Sequence, residues 1–168
     1  MAKNQYRQVY RKPALRMVKI KKLQKDLLSF KKIGLDSMVF IYQFSDHPQY
    51  GQLTNVVMEL LGKKKIKAVT SAITIIEAFV KPEKESDLAI LNEYENVFQH
   101  LPSLEILPID WPLSRLTARL RAQYPTIRIP DAVQISAALF KECSAFLTND
   151  NKLKKVKEIK VITLKDYL

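Results

Sequence analysis

Hydrophobic and polar positions along the chain switch between a period near 3.6 and a period near 2, and the switches divide it into helices and short strands. Residues 14–32, ALRMVKIKKLQKDLLSFKK, space Met17, Ile20, Leu23, Leu27 and Phe30 as on one helix face with lysines between them, the pattern of a docked, basic amphipathic helix. KIGLDSMVFIYQF reads as a short strand up to Asp36 and then a buried segment of either type. A helix is predicted over 50–62 with Leu53, Val56, Val57, Leu60 and Leu61 on one face, and a brief strand over 67–71, KAVTS. Ser71 is the expected N-cap of AITIIEAFV, where Ile73, Ile76 and Val80 form the recurring apolar set and Pro82 ends the helix. Residues 83–100 follow as a helix with Leu91, Tyr94, Phe98 and Leu101 inward, then LEILPI, 104–109, as a strand. Asp110 is the expected cap of a helix carrying Leu113, Leu116 and Leu120. Pro130 opens DAVQISAALF, which is apolar on most sides and rich in small residues, so it should lie buried close to a sheet. AFLT and KVIT are the last two strands, joined by the basic stretch 151–157.

Strands alternating with helices imply an α/β fold, a parallel sheet with helices on both faces. In such sheets ligands bind beyond the carboxyl ends of the strands, where the strand order reverses. Asp36 and Asp150 each end a predicted strand.

At 168 residues the chain is of single-domain size and can bury a core without staples. Its one cysteine, Cys143, excludes an internal disulfide and the Cys-rich zinc patterns, which suits a reducing, cytoplasmic setting. No apolar run approaches the roughly 18–20 residues of a membrane span, and residues 1–32 lack the apolar core of a signal peptide. With only Gly34, Gly51 and Gly62, there is no glycine-rich phosphate loop.

The net charge of +11 is concentrated at one end: residues 1–32 hold eleven Lys and Arg against the single acid Asp26. This divides the chain into a basic extension, 1–32, and a near-neutral domain, 33–168. Phosphate backbones, an anionic membrane, a targeting role and a solvated arm all fit such an extension, and charge does not choose among them. Tyr6 and Tyr10 within it are candidates for stacking on bases.

Four acids carry the candidate chemistry, and each also has an ordinary reading. Asp36 can cap the next helix, and Asp150 can sit in a turn. Glu77 precedes Lys81 by four residues, a pairing worth about 0.2–0.5 kcal/mol on an exposed face. Asp131 with Gln134 resembles a capping box. The helices bearing Glu77 and Asp131 are otherwise strongly apolar, however, so these acids should lie at the edge of buried helix–sheet contacts. Carboxylates meeting there repel by about 4 kcal/mol at roughly 4 Å for an effective dielectric near 20. Protons or a cation must offset that, and Mg²⁺ or Mn²⁺ suits a set of oxygen-only ligands.

The four segments GLDSMVFIY, SAITIIEAF, PDAVQISAAL and FLTND, the last followed by a basic turn and KVITL, resemble in this order the PIN-domain ribonucleases. The likeness is to the VapC-type toxins of toxin-antitoxin pairs and covers residues 33–168. It implies a three-layer α/β/α sandwich with a mostly parallel sheet of about five strands. It implies that Asp36, Glu77, Asp131 and Asp150 form the family's acidic quartet, which holds Mg²⁺ or Mn²⁺ and cleaves single-stranded or structured RNA. Asp36, Asp131 and Asp150 are the expected direct ligands, with Glu77 acting through a metal-bound water or as a proton acceptor. Ser37 and Thr148 match small hydroxyl positions that support the acids.

The same resemblance implies a small antitoxin partner and a homodimer. The extension 1–32 departs from it, since compact toxins begin close to the first strand; Met17 is an alternative start. Arg115, Arg119, Arg121 and Arg128 are candidates for a phosphate track toward Asp131, with a solvated helix face as the alternative, and Lys21 and Lys22 are candidate RNA contacts in the extension. Two rival functions stay open: a housekeeping RNA-processing nuclease, and a non-catalytic RNA- or partner-binding module. His47 and His100 are expected to face solvent rather than act as general bases.

Overall fold

The computed structural model describes residues 17–168. Tyr6, Tyr10 and the first five basic residues of the extension lie outside the described residues.

Among the described residues, helix α1 covers 17–28, and the chain then runs β1 (Lys32–Leu35), α2 (Ser37–Phe44), α3 (Gly51–Gly62), β2 (Lys67–Ser71), α4 (Ala72–Glu85), α5 (Leu88–His100), β3 (Leu104–Leu107), α6 (Trp111–Gln123), α7 (Ile129–Phe140), β4 (Ala145–Thr148) and β5 (Lys160–Thr163). Two 3-10 turns, Asn151–Lys155 and Leu164–Tyr167, flank β5. The strands form one parallel sheet in the order β3-β2-β1-β4-β5, covered by helices on both faces as the alternation of elements requires. This is the three-layer α/β/α sandwich that the resemblance implied. No helix among the described residues is long and apolar enough to cross a membrane.

Successive strand residues alternate between two cores. Ile33, Leu35, Ala68, Ala145 and Leu147 join the side that holds α1, α2 and α3, whereas Val69, Leu107 and Phe146 join α6 and α7. The first core is closed by aromatic pairs, with Phe44 and Tyr94 stacked at 3.8 Å between centroids and Phe40 and Phe98 tilted at 5.0 Å. On the second side α7 lies so close to β1 that a Cβ on Gly34 would fall 2.4 Å from Ala138 Cβ and 2.7 Å from Phe146 Cδ2. Glycine is needed there for its size, and Ala138 is the α7 residue that it meets.

Helix α1 docks along most of its predicted face, although Met17 is exposed and Phe30 follows the end of the helix. Leu23 and Leu27 are fully buried in the first core, while Lys21, Lys22 and Lys25 stay exposed. Asp26 accepts a hydrogen bond from the Tyr167 hydroxyl at 2.8 Å, and Lys22 lies over the same ring. Burial and the Asp26 carboxylate raise the Tyr167 hydroxyl pKa.

Helix α4 departs from expectation twice. It runs past Pro82 to Glu85 and is closed by Ser86 in a left-handed conformation, φ 52°. Its buried residues are Thr74, Ala78 and Pro82, while Ile76 and Val80 are exposed. The fully buried positions of α4 are compact, and Ile75 and Phe79 pack beside them on the first core, so it is Ile76 and Val80 that mark the wrong face.

Candidate functional site

The strand order reverses between β1 and β4, so the crevice expected at such a switch opens beyond their carboxyl ends. Leu35 and Leu147 are in register, and the Asp36 N–H donates to Leu147 O at 3.0 Å, carrying the ladder one residue past β1. Asp36 and Thr148 therefore meet. Thr148 Oγ1 donates to Asp36 Oδ2 at 2.5 Å and accepts the Asp150 N–H at 3.1 Å, so one buried hydroxyl ties together two acids from neighbouring strand ends.

Ser37 opens α2 immediately after Asp36. Its hydroxyl contacts Asp36 Oδ1 at 3.2 Å and makes a shorter contact with Glu77 Oε2 on the second turn of α4. With one proton to give, Ser37 serves one of these acids at a time. Asp36 occupies the cap position of α2 without making a side-chain cap bond, and Glu77 turns to Ser37, so neither acid is spent on the helix role open to it in the sequence.

Asp131 lies in the first turn of α7, whose N-cap is Arg128, and no capping box forms. Gln134 is instead buried and faces the sheet. In the amide orientation that satisfies both ends, its nitrogen donates to Thr70 and Thr74 Oγ1 at 3.2 Å and to Leu35 O at 3.0 Å. Its oxygen then accepts the Ser37 N–H at 3.2 Å and lies 3.2 Å from the Ser37 hydroxyl oxygen. Thr70 and Thr74 share a further bond of 2.6 Å. Thr70, Thr74 and Gln134 thus form a polar floor under Ser37 that sequence reading missed. The available signal was polar residues recurring at positions where the helical period calls for apolar ones.

Burial is the main force raising the Asp36 pKa, and the charge of Asp131 adds to it, against the lowering bonds from Thr148 and Ser37. Arg128 grips Asp131 with a two-toothed fork, Nε to Oδ2 at 2.9 Å and Nη2 to Oδ1 at 3.1 Å. The guanidinium pKa is raised first by that fork and the Asp131 charge, with smaller contributions from Glu77 and Asp150. All four acids are thus linked by hydroxyl bridges or by charge at one end of the sheet. No group of three or more His, Cys, Asp or Glu among the described residues is arranged to hold a metal ion as it stands. Each acid is occupied by its own partner: Asp36 by Thr148, Glu77 by Ser37, Asp131 by Arg128, and Asp150 by the Lys152 N–H at 2.8 Å. The donor set still fits a hard divalent cation, because it is made of carboxylate oxygens and includes a buried acid whose charge lacks an adequate partner.

The remaining candidates lie elsewhere. Arg115 and Arg119 are exposed on α6, and Lys21 and Lys22 on α1; none of them enters the hydrogen bonds around the acids. Arg121 braces the turn before α7, donating Nε to Ile127 O at 3.0 Å and Nη2 to Pro125 O at 3.4 Å. His47 is half-buried against Tyr42 and Tyr50, and its Nδ1 accepts the Gln49 N–H at 3.2 Å, which corrects its expected exposure. Burial raises the Cys143 thiol to about 12, outside the range of a reactive cysteine.

Residues 33–159 match the PIN domain family. Among solved structures, the fold is similar to VapBC2 from Rickettsia felis bound to a DNA fragment from their promoter, with TM-score 0.62 and 19% identity over 79% of this chain and 98% of that one. It is likewise similar to FitAcB from Neisseria gonorrhoeae, with TM-score 0.59 and 20% identity over 80% and 98% of the two chains. A toxin-antitoxin complex from Klebsiella pneumoniae gives TM-score 0.57 and 18% identity over 79% and 97%. At these identities the likeness is one of fold. No curated protein matches.

Proposed function

Because the chain belongs to the PIN domain family, we propose that it is a metal-dependent endoribonuclease of the VapC toxin type, with Asp36, Glu77, Asp131 and Asp150 as its acidic quartet. The observation that carries this reading is the bridging of Asp36 to Glu77 by Ser37 and to the Asp150 backbone by Thr148, at the switch point of the sheet. Structural roles alone do not call for a buried carboxylate held by two hydroxyls next to a second negative charge.

Asp36, Asp131 and Asp150 would hold Mg²⁺ or Mn²⁺, with Glu77 beside them. When bound, such an ion polarises the scissile phosphate and makes a water acidic enough to attack at neutral pH. The chain's own part is orientation. Thr148 and Ser37 fix the Asp36 carboxyl, the Gln134 floor fixes Ser37, and Glu77 is placed to accept a proton. Exposed Lys152 and Lys155 follow Asp150 directly and join Arg128 as candidates for contacting the RNA backbone. The extension 1–32 is proposed as an RNA-binding arm whose described part is docked on the domain 33–168.

A small antitoxin and a second copy of the chain are the proposed protein partners. Support for the antitoxin comes from a groove of about 150 Å³ beside Glu77, with Ile41, Phe44, Ala78, Pro82 and Tyr94 in its walls. It suits the apolar face of a short helix. Relief of toxicity by an adjacent small gene product would separate a toxin from a housekeeping nuclease in the cytoplasm.

The acids' separate partners favour one second reading, a PIN-fold module that binds RNA or protein without cleaving. Incubating an RNA pool with the parent and with Asp36→Asn, in Mg²⁺, Mn²⁺ or EDTA, decides between them. Cleavage by the parent in metal alone, lost in the variant, supports the nuclease; equal behaviour of both proteins removes it.

A further inference from the structure

The fork on Asp131 plays no part in the nuclease reading as given, yet it engages both oxygens of a proposed metal ligand. Arg128 is three residues upstream in an extended backbone conformation, φ −67° and ψ 154°, directly before the first turn of α7. Asp131 is 11% exposed at its side chain and Arg128 74%, so the acid is fixed in the wall while the guanidinium closes over it from solvent. The turn behind Arg128 is held by Arg121 on two carbonyls and by Lys155 on the Thr126 hydroxyl. Glu77 and Asp150 also act on the guanidinium's charge, so one cation serves three of the four acids.

We propose that Arg128 is a resident counter-ion of the acid pocket: it positions Asp131 in the metal-free protein and competes with a divalent ion for the same two oxygens. The inference rests on the four acids forming a metal site. Asp131, whose charge also acts on Asp36, is thereby already paired with a cation in the metal-free protein. The competition should be mild. The arginine side of the pair is open to water, where such pairs contribute little, so an ion can displace it without disturbing the fold.

The test is calorimetric titration of the metal-free full chain with MnCl₂, comparing the parent with Arg128→Gln, Arg128→Lys and Asp36→Asn. Arg128→Gln should bind Mn²⁺ about two- to five-fold more tightly, the range that an exposed pair is worth. Arg128→Lys keeps the charge but not the planar fork, so it should also bind more tightly than the parent. Unchanged or weaker binding by Arg128→Gln overturns the proposal. So does Arg128→Lys binding at the parent's affinity, which would reduce the effect to charge at a distance. Saturable binding by the parent that Asp36→Asn abolishes keeps the metal site even if the arginine variants refute the fork; no saturable binding by any of the proteins removes both.

Discussion

Gly34→Ala tests how the fold sets the distance between acids. The added Cβ would lie 2.4 Å from Ala138 Cβ and 2.7 Å from Phe146 Cδ2, against the roughly 3.5–4.0 Å of an ordinary carbon contact. The Phe146 ring is fully enclosed, and Ala138 has no torsion with which to move its methyl group aside. Helix α7 must therefore retreat from β1 by about 1 Å or more. Overpacking of this kind costs about 1–3 kcal/mol, which at a urea m-value of about 2 kcal/mol/M lowers the unfolding midpoint by about 0.5–1.5 M. The displacement also moves Asp131 away from Asp36, and a 1 Å error in an active site can reduce turnover by about 10²-fold. Urea unfolding followed by circular dichroism reads the first effect, and the RNA cleavage assay reads the second. Ala138→Gly in the same chain should recover part of both, less the helix penalty of about 1 kcal/mol for the new glycine. Stability within about 0.5 kcal/mol of the parent, together with unchanged cleavage, would refute the reasoning, since a surface substitution would do as much.

Asp36→Asn should raise the melting temperature of the metal-free protein at neutral pH. The folded pKa of Asp36 is raised, so the folded state holds its proton more tightly than the unfolded one, and the parent loses stability as pH climbs from the unfolded value through the folded one. The gain should be largest above the folded pKa and fade as the solution is acidified through that window; a gain that grows in acid contradicts it. Leu23→Ala should destabilise the chain by about 2–5 kcal/mol, because Leu23 is fully buried, and unchanged thermal unfolding would show that α1 is not part of the core. Replacing Lys21 and Lys22 with Gln should leave the fold intact and flatten the salt dependence of RNA binding by about 0.7 in log–log slope per lysine if the helix contacts single-stranded RNA. An unchanged slope assigns these lysines to another role.

The order of elements was legible because its signals are local. The strands at 67–71, 145–148 and 160–163 follow short runs of apolar and β-branched residues, and Asp110 makes the cap bond expected of it, accepting the Leu113 N–H at 3.0 Å. The four acids could be picked out because they interrupt apolar helices or end strands. What the pattern misassigned depends on contacts between distant segments. The inward side of α4 is set by its packing on α2, α5 and the sheet, which buries Thr74 and Ala78 and leaves Ile76 and Val80 exposed. Gln134 looks like a capping partner until Thr70 and Ser37, far away in sequence, supply its bonds. Arg128 reads as part of a diffuse basic track, and only its fork on Asp131 singles it out from Arg115 and Arg119.

The hydrogen bond between Asp26 and Tyr167 spans 141 positions. At about 5–20 residues per second, a ribosome needs roughly 7–28 seconds after making the first partner to deliver the second. Throughout that wait the nascent lysine-rich helix lacks its final fastening. The latch of a helix that carries exposed lysines is thus closed only once Tyr167, near the far end of the fold, has been made.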